Sequence, residues 1–482
     1  MSSSNGFRNR WIKSRDFIDL FAVVWEWIIS TNLTKSGGQS SFTNEEEEAF
    51  AALKSQITGN PLQKPDQNSL DRVLPSNGIT AKIHCLHKII ELIDEEVGGK
   101  VLPWNNGYGS NNHTNELRDR LLLSGQYNLL ADKKDSCENL KVIPTPTPCA
   151  LANFPSPKIN PEVKNIMCIP SAIESNDKSK KCAIEYIYRN SIIRTEWPKH
   201  LVFVPVPDEP DDIEVIETKT GYYKIKHKDS DKTRKTAENA VKSYMNNKEM
   251  DSALIMLPEI SLPKSEYQKF QSNINRMENS ENKEILLLTG IIEEKGNSYK
   301  NSAVLSDISG SPPLFEQQKL HGFPITENFA NSNNLSLTFS SSNKLEEDLA
   351  QDEWKITILD TQAARICVMI CQDFSEPFPL LDVLEKCMPT LILCPVLNGD
   401  LQRTNWLANA HQNLVNNSSY PFPLVVANSA VLPRRYSNHK NNGQTQWSIG
   451  LTSKFDEKSE KIVHDYAEWQ SNQNPFYAIK KF

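Results

Sequence analysis

The sequence predicts an α/β fold preceded by a mainly helical N-terminal region. Three observations carry this reading. The stretch Ala364 to Asn398 reads as strand, sharp turn, helix and strand, a βαβ unit. From about residue 196, apolar runs of strand length alternate with helical patterns. Before about residue 135, apolar residues recur at helical spacing instead. Three regions follow: a helical module at 1–135, a proline-rich connector at 136–195, and the α/β domain at 196–482.

In the helical region, Phe17, Leu20, Phe21, Val24, Trp25 and Ile28 mark a first helix. Asn44 is expected to cap a second, running through Glu45 to Leu53 with acidic residues in its first turn. Ile79, Ile83, Leu86, Ile90 and Ile93 mark a third, which Gly98 and Gly99 stop. A fourth runs from Thr114 through Leu117, Leu121 and Leu122 towards Leu129. Nothing here points to chemistry, so the region reads as a packing or protein-partner module. Between 136 and 195, Pro144, Pro146, Pro148, Pro155, Pro157, Pro161 and Pro170 break regular structure, with one candidate strand at Cys182 to Tyr188.

The α/β region opens with a strand at Leu201 to Val206. A candidate strand at Gly221 to His227 follows an acidic loop at Asp208 to Asp212. A helix is expected over Thr233 to Asn246. Strands are expected at Ser252 to Leu257, Ile285 to Ile292 and Asn301 to Leu305. In the βαβ unit, Ile366 to Ile370 is a buried strand, Leu380, Leu381, Val383 and Leu384 lie on a helix, and Leu391 to Val396 is a second buried strand. Long polar stretches, Asp208 to Asp231 and Asn328 to Asp352, are expected to be lids or partner surfaces.

Composition narrows the class of function. With 38% hydrophobic and 23% charged residues, the chain can bury a sizeable core. Its net charge of −7 argues against a nucleic-acid surface. Nine cysteines, with no CxxC pair, read as reduced thiols and predict a cytoplasmic protein. The N-terminus has no signal-peptide pattern, and the apolar run Phe17 to Ile29 is too short and too charged for a membrane span. His84, Cys85 and His87 lack ligand spacing, because Cys85 points away from the shared histidine face of a helix. No metal and no cofactor is expected.

Three positions carry the candidate chemistry. Cys371 ends the first strand of the βαβ unit, where α/β folds place reactive groups, and a helix N-terminus there is expected to favour the thiolate. Cys367 and Cys394, inside the apolar runs, read as small hydrophobes. Glu259 follows a fully apolar strand in ALIMLPEISL, where desolvation suits a general base. Lys319 lies in FEQQKLHGF.

The order LPE, then a lysine before Leu-His, then ICQDF resembles the nitrilase superfamily of carbon–nitrogen hydrolases over roughly 200–470. The resemblance implies a four-layer α-β-β-α sandwich and a Glu–Lys–Cys triad. Glu259 is then the base, Cys371 the nucleophile, and Lys319 the cation that stabilises the tetrahedral intermediate. The backbone N–H of Gln372 would complete an oxyanion hole. Family members often carry a second glutamate shortly after the lysine, for which Glu327 is the first candidate and Glu316 the second. Asn398 falls where the family lines its pocket, and Trp406 and Asn428 fit its later helix and strand. Gln372 stands where the family usually has an aromatic residue, and Cys371-Gln372-Asp373 is closer to the amidase and carbamoylase branches. The family's Arg-Ala-x-Glu-Asn pattern appears as Asn409-Ala410-His411-Gln412-Asn413. The implied activity is cleavage of a small amide or nitrile-like substrate through a Cys acyl-enzyme, by a protein that forms homodimers or higher oligomers. The rival reading is a nitrilase-like scaffold or signalling module in a larger assembly, such as a bacterial defence system, with its chemistry lost or secondary.

Overall fold

The structure is a computed structural model. It describes residues 14, 16–30, 42–60, 62–74, 83–98, 140–144, 166–175, 179–188, 198–247, 252–276, 284–308, 312–339, 343–351, 353–361, 363–418, 421–440, 444–456, 459, 461–470 and 476–481. The helix expected over Thr114 to Leu129 and much of the connector lie outside these residues. The chain falls into two compact units. One comprises Met1–Thr147, Ser156–Ala172 and Glu185–Tyr188, and the other Pro148–Pro155, Ile173–Ile184 and Arg189–Phe482.

In the first unit the apolar periodicity produces the helices it predicts. Phe17–Ser30 buries Phe17, Leu20, Phe21, Val24 and Ile28. Asn44–Gly59 is capped by Thr43 rather than by Asn44. The Thr43 hydroxyl accepts from the Glu46 N–H at 3.2 Å, while the Glu46 carboxylate accepts from the Thr43 N–H at 2.9 Å. This reciprocal box satisfies two amide donors that an Asn44 cap would leave open. A short helix, Gln67–Val73, is capped by Asp66 and was not expected. Ile83–Ile93 runs into a π-turn at Asp94–Gly98. No helix of the described residues is long and apolar enough to cross a membrane.

The second unit is a four-layer α-β-β-α sandwich. Its first sheet orders the strands Phe315–Gln318, Ser298–Asp307, Glu284–Lys295, Ser252–Met256, His200–Phe203 and Ala478–Lys481. Its second sheet orders Lys461–Gln470, Gln446–Asp456, Leu424–Asn428, Leu391–Val396, Arg365–Val368 and Lys355–Asp360, then the strand residues 181–184 and 173–174 that belong to this unit. The expected Cys182 strand thus joins this edge.

Strand alternation decides what each layer touches. Val202, Ala253, Ile255 and Leu287 face outward onto Ala237, Val241 and Tyr244 of helix Ser230–Met245, and onto Phe270 and Ile274 of helix Lys264–Asn275. Phe203 faces the other way, against Gly450 of the second sheet, where an added Cβ would stand 2.6 Å from its ring. The Gln317 side chain bridges the sheets, donating to the Lys355 carbonyl at 2.7 Å and accepting from the Thr357 N–H at 3.0 Å. Helices Pro377–Cys387 and Trp406–Asn417 supply the fourth layer. The strands Arg365–Val368 and Leu391–Val396 are buried throughout, as parallel strands covered on both faces should be.

The two polar stretches read as lids fold together instead. Ile213–Lys219 and Tyr222–His227 form a hairpin whose second strand is the one expected at Gly221 to His227, and the acidic loop Asp208 to Asp212 precedes it as expected. Lys344–Glu347, from the later stretch, pairs in parallel with that hairpin and antiparallel with Ile325–Thr326. The result is a four-stranded sheet beside the sandwich. Ile213, Tyr223, Ile225, Ile325 and Leu345 form its apolar face, packed with Ile260, Ile292 and Tyr299.

Candidate active site

Glu259 and Cys371 each stand just past the C-terminal end of a buried strand, one in each sheet. Both turns are strained. Ile260, β-branched, has φ of 57°, and Cys371 has φ of 49°. Left-handed backbone at non-glycine residues costs of order 1 kcal/mol or more and persists only where packing fixes it. The Glu259 turn is held by Gly290, whose chain passes so close that a Cβ would lie 2.1 Å from the Pro258 oxygen.

Lys319 follows the edge strand Phe315–Gln318, and its N–H donates to the Asn301 carbonyl at 2.8 Å. Its ammonium is 2% exposed and donates to Glu259 Oε1 at 2.8 Å and to Glu347 Oε2 at 2.6 Å. Asn301 Nδ2 donates to Glu259 Oε1 at 2.7 Å and to Glu347 Oε1 at 3.2 Å. The Leu397 N–H donates to Glu259 Oε2 at 2.9 Å. Glu347 further accepts from the Tyr299 hydroxyl at 2.6 Å and the Phe323 N–H at 2.9 Å.

Glu327, the expected second glutamate, is not in this cluster. It is exposed and opens the short helix Glu327–Ser332, and Glu316 is exposed as well. The second carboxylate on Lys319 is Glu347. In its strand Leu345 and Glu347 share the buried face, so pairing with Tyr222–Tyr223 turns Glu347 inward. Asn301 and Tyr299 were also missed. Both lie on the strand Ser298–Asp307, of which Asn301 to Leu305 was expected, and their contacts depend on Glu347.

The charges are not equivalent. Burial, with the nearby Glu347 charge, raises the pKa of Glu259 above the ordinary carboxylate range, although Lys319 pulls it down. Burial would raise Glu347 as well, yet Lys319, the Tyr299 hydroxyl and the Phe323 N–H bring its carboxyl below its ordinary value. Burial disfavours the Lys319 ammonium, but the two carboxylates outweigh it and raise its pKa. Cys371 is within electrostatic reach of all three. Burial first, then the Glu259 charge, pushes its thiol well above the usual value, with Lys319 opposing. The expected standing thiolate is therefore not favoured, because desolvation and a neighbouring carboxylate outweigh the cation and the helical turn.

Asp373 ties the Cys371 turn to the lysine loop. Its carboxylate accepts from the Leu320 N–H at 3.0 Å and the His321 N–H at 2.7 Å. The Gln372 side chain turns away to Glu376, at 2.7 Å. Asn398 is 8% exposed. Its N–H donates to Asn428 Oδ1 at 2.9 Å, and its Oδ1 accepts from the Gly399 N–H at 2.8 Å. Its Nδ2 has no partner among the described residues. His411 is fully buried, with Nδ1 2.6 Å from Ser453 Oγ and Nε2 2.7 Å from the Phe422 carbonyl. It serves to pin its helix to the second sheet. In the other unit, ligand atoms of Glu46, His84 and Cys85 lie within 4.8 Å of one another. This differs from the expected geometry, since the third group is Glu46 of helix Asn44–Gly59 and not His87.

Residues 220–377 match the carbon–nitrogen hydrolase family model, a span holding Glu259, Lys319, Glu347 and Cys371. No curated protein matches the chain. Among solved structures it is similar to a carbon–nitrogen hydrolase from Helicobacter pylori, at 14% identity over 56% of this chain and 90% of that one, with a TM-score of 0.34. It is similar to Saccharomyces cerevisiae Nit3, a member of branch 10 of the nitrilase superfamily, at 14% identity over 58% and 89%, with a TM-score of 0.33. It is also similar to an amidase from Nesterenkonia sp., at 11% identity over 61% and 93%, with a TM-score of 0.35. The span 220–377 is thus similar to a carbon–nitrogen hydrolase domain.

Proposed function

We propose that the chain is a thiol amidohydrolase that cleaves a small-molecule amide. The observation that carries this is the buried Glu259–Lys319–Glu347 network set against Cys371. A scaffold has no use for an ammonium between two carboxylates at the mouth of two strained turns, since a buried ion cluster is weak as a source of stability.

The divergent pKa directions assign the roles. Glu347 keeps its charge and holds Lys319 as an ammonium. Glu259, raised and so nearer to taking a proton, is the base. As the Cys371 sulfur attacks the substrate carbonyl carbon, Glu259 accepts the thiol proton. The oxygen gains negative charge and is stabilised by Lys319 and the Gln372 N–H. Glu259 then returns the proton to the departing nitrogen, and the C–N bond breaks to leave a thioester. A water molecule attacks that thioester, Glu259 takes its proton, and the thiol is restored as the carboxylic acid leaves.

The test offers a panel of primary amides to the full chain and reads ammonia release and intact mass. An acyl adduct on Cys371, with release abolished in Cys371→Ala, supports the reading. Equal release in Cys371→Ala would overturn it.

A further inference from the structure

The first unit brings three metal-ligating side chains of different chemistry to one point. Ligand atoms of Glu46, His84 and Cys85 lie within 4.8 Å of one another. Glu46 stands in the first turn of helix Asn44–Gly59, and His84 and Cys85 belong to helix Ile83–Ile93. No other three His, Cys, Asp or Glu side chains converge this closely among the described residues.

Local structure holds each group in place. Glu46 is 7% exposed, and its Oε2 accepts from the Thr43 N–H at 2.9 Å, which fixes the carboxylate at the helix end. The His84 ring lies 5.2 Å from that of Phe42, which in turn meets the Phe50 ring at 5.0 Å. His84 is half-buried, and its ring nitrogens have no hydrogen-bond partner among the described residues. Cys85 is fully buried and forms no disulfide.

Helix capping explains the glutamate and leaves the rest unexplained. A capping box takes Gln as readily as Glu and needs neither an imidazole nor a thiol beside it. Burying such polar groups costs free energy unless something completes them. A divalent cation does so here. A carboxylate and a thiolate carry two negative charges, the dication cancels them, and what is buried is neutral. The donor set also selects the metal. Magnesium and calcium take oxygen ligands, whereas thiolate with imidazole suits zinc. Ligand atoms around one zinc stand about 3.5 Å apart, given bonds of about 2.0–2.3 Å at tetrahedral angles. A small adjustment of these side chains reaches that spacing. The Thr43 N–H then plays the part of the outer hydrogen bond that orients a ligand.

We propose that Glu46, His84 and Cys85 bind one Zn2+ ion, with water as the fourth ligand, and that the ion clamps helix Ile83–Ile93 to the capped end of helix Asn44–Gly59. On binding, the Cys85 S–H bond breaks, its proton passes to solvent, and a Zn–S bond forms. The clamp belongs to the helical unit and takes no part in the amide chemistry proposed above.

The test strips the full chain with a chelator under reducing conditions and titrates it with ZnCl2, reading bound metal by mass spectrometry. One equivalent should bind with a Kd of about 1 µM or tighter. CoCl2 in place of zinc should give a thiolate-to-metal charge-transfer band that Cys85→Ala abolishes. His84→Ala and Glu46→Gln should each weaken zinc binding by about tenfold or more. Glu46→Gln preserves the capping box, so its effect is not that of a lost helix end. Hydrogen exchange locates the ion: Zn2+ should slow the amides of 44–59 and 83–93 in the wild type and not in Cys85→Ala. Cys371→Ala should bind zinc as the wild type does. Failure to bind one equivalent at that affinity overturns the site. So does binding that Cys85→Ala and Glu46→Gln leave unchanged, or binding that Cys371→Ala removes, because either places the metal elsewhere.

Discussion

Replacing Lys319 with alanine tests the network as a unit. The ammonium is the shared partner of Glu259 and Glu347, all three at most 6% exposed. Its loss leaves two carboxylates facing each other in a dry site. Breaking a buried pair in this way costs about 3–5 kcal/mol. For a domain of this size that lowers Tm by on the order of 10 °C. The loss has a pH signature. Without Lys319, burial and mutual repulsion raise the folded-state pKa of at least one carboxylate above its unfolded value. The folded variant then binds more protons than the unfolded chain, so its stability falls as pH rises through that window and recovers as pH drops. Adding Glu347→Gln removes one charge and should restore part of the Tm, though not activity. The assay is thermal denaturation of wild type, Lys319→Ala and the double variant at pH 5.5 and 8. A Tm for Lys319→Ala within about 2 °C of wild type at pH 8, a shift of under 1 kcal/mol, would refute the charge accounting and move Lys319 out of the site.

Gly290→Ala should abolish amide turnover although it touches no substrate. Its Cβ meets the Pro258 oxygen at 2.1 Å, Glu259 Cα at 2.7 Å and Ile260 N at 2.9 Å, so Glu259 must move; near-normal kcat would show that the turn tolerates displacement. His411 is held neutral, its pKa lowered by burial to about 4 from 6.5. The unfolded chain therefore takes the proton first, and stability falls as pH drops below 6.5, by about 2 kcal/mol at pH 5. His411→Gln should flatten that part of the Tm–pH profile, and an unaltered slope would exclude it. Finally, iodoacetamide should label Cys371 slowly at neutral pH, at least about tenfold below a free thiol, with a rate that climbs on raising pH. Fast labelling that is flat between pH 6 and 8 would reveal a standing thiolate and remove the need for Glu259 as base.

The parts of this molecule legible in the sequence were those written in local periodicity. Leu391 to Val396, Ala253 to Met256 and Ile366 to Val368 are apolar runs whose burial follows from composition alone. Glu259 and Cys371 were visible because each interrupts such a run. Lys319 was visible only through its order between them. Glu347 was not, for a physical reason. It sits in a polar stretch with Leu345 as the one apolar residue of its strand, and a four-residue strand shows too little alternation to be read. What turns it inward is pairing with Tyr222–Tyr223, a contact across more than a hundred residues of sequence. The Thr43 cap and the seven-residue helix Gln67–Val73 were missed on a smaller scale, since each depends on one side chain meeting one amide.

That long-range pairing sets the order in which the chain can become competent. Glu347 reaches Lys319 only after the hairpin Ile213–His227 has formed and has captured the later strand in parallel. Until then Lys319 would enter the interior with one acid partner instead of two. Parallel, distant pairings carry the largest loop-closure cost and form late. Refolding should therefore regain helical signal and buried tryptophan before it regains turnover, with catalysis arriving as the final step of assembly.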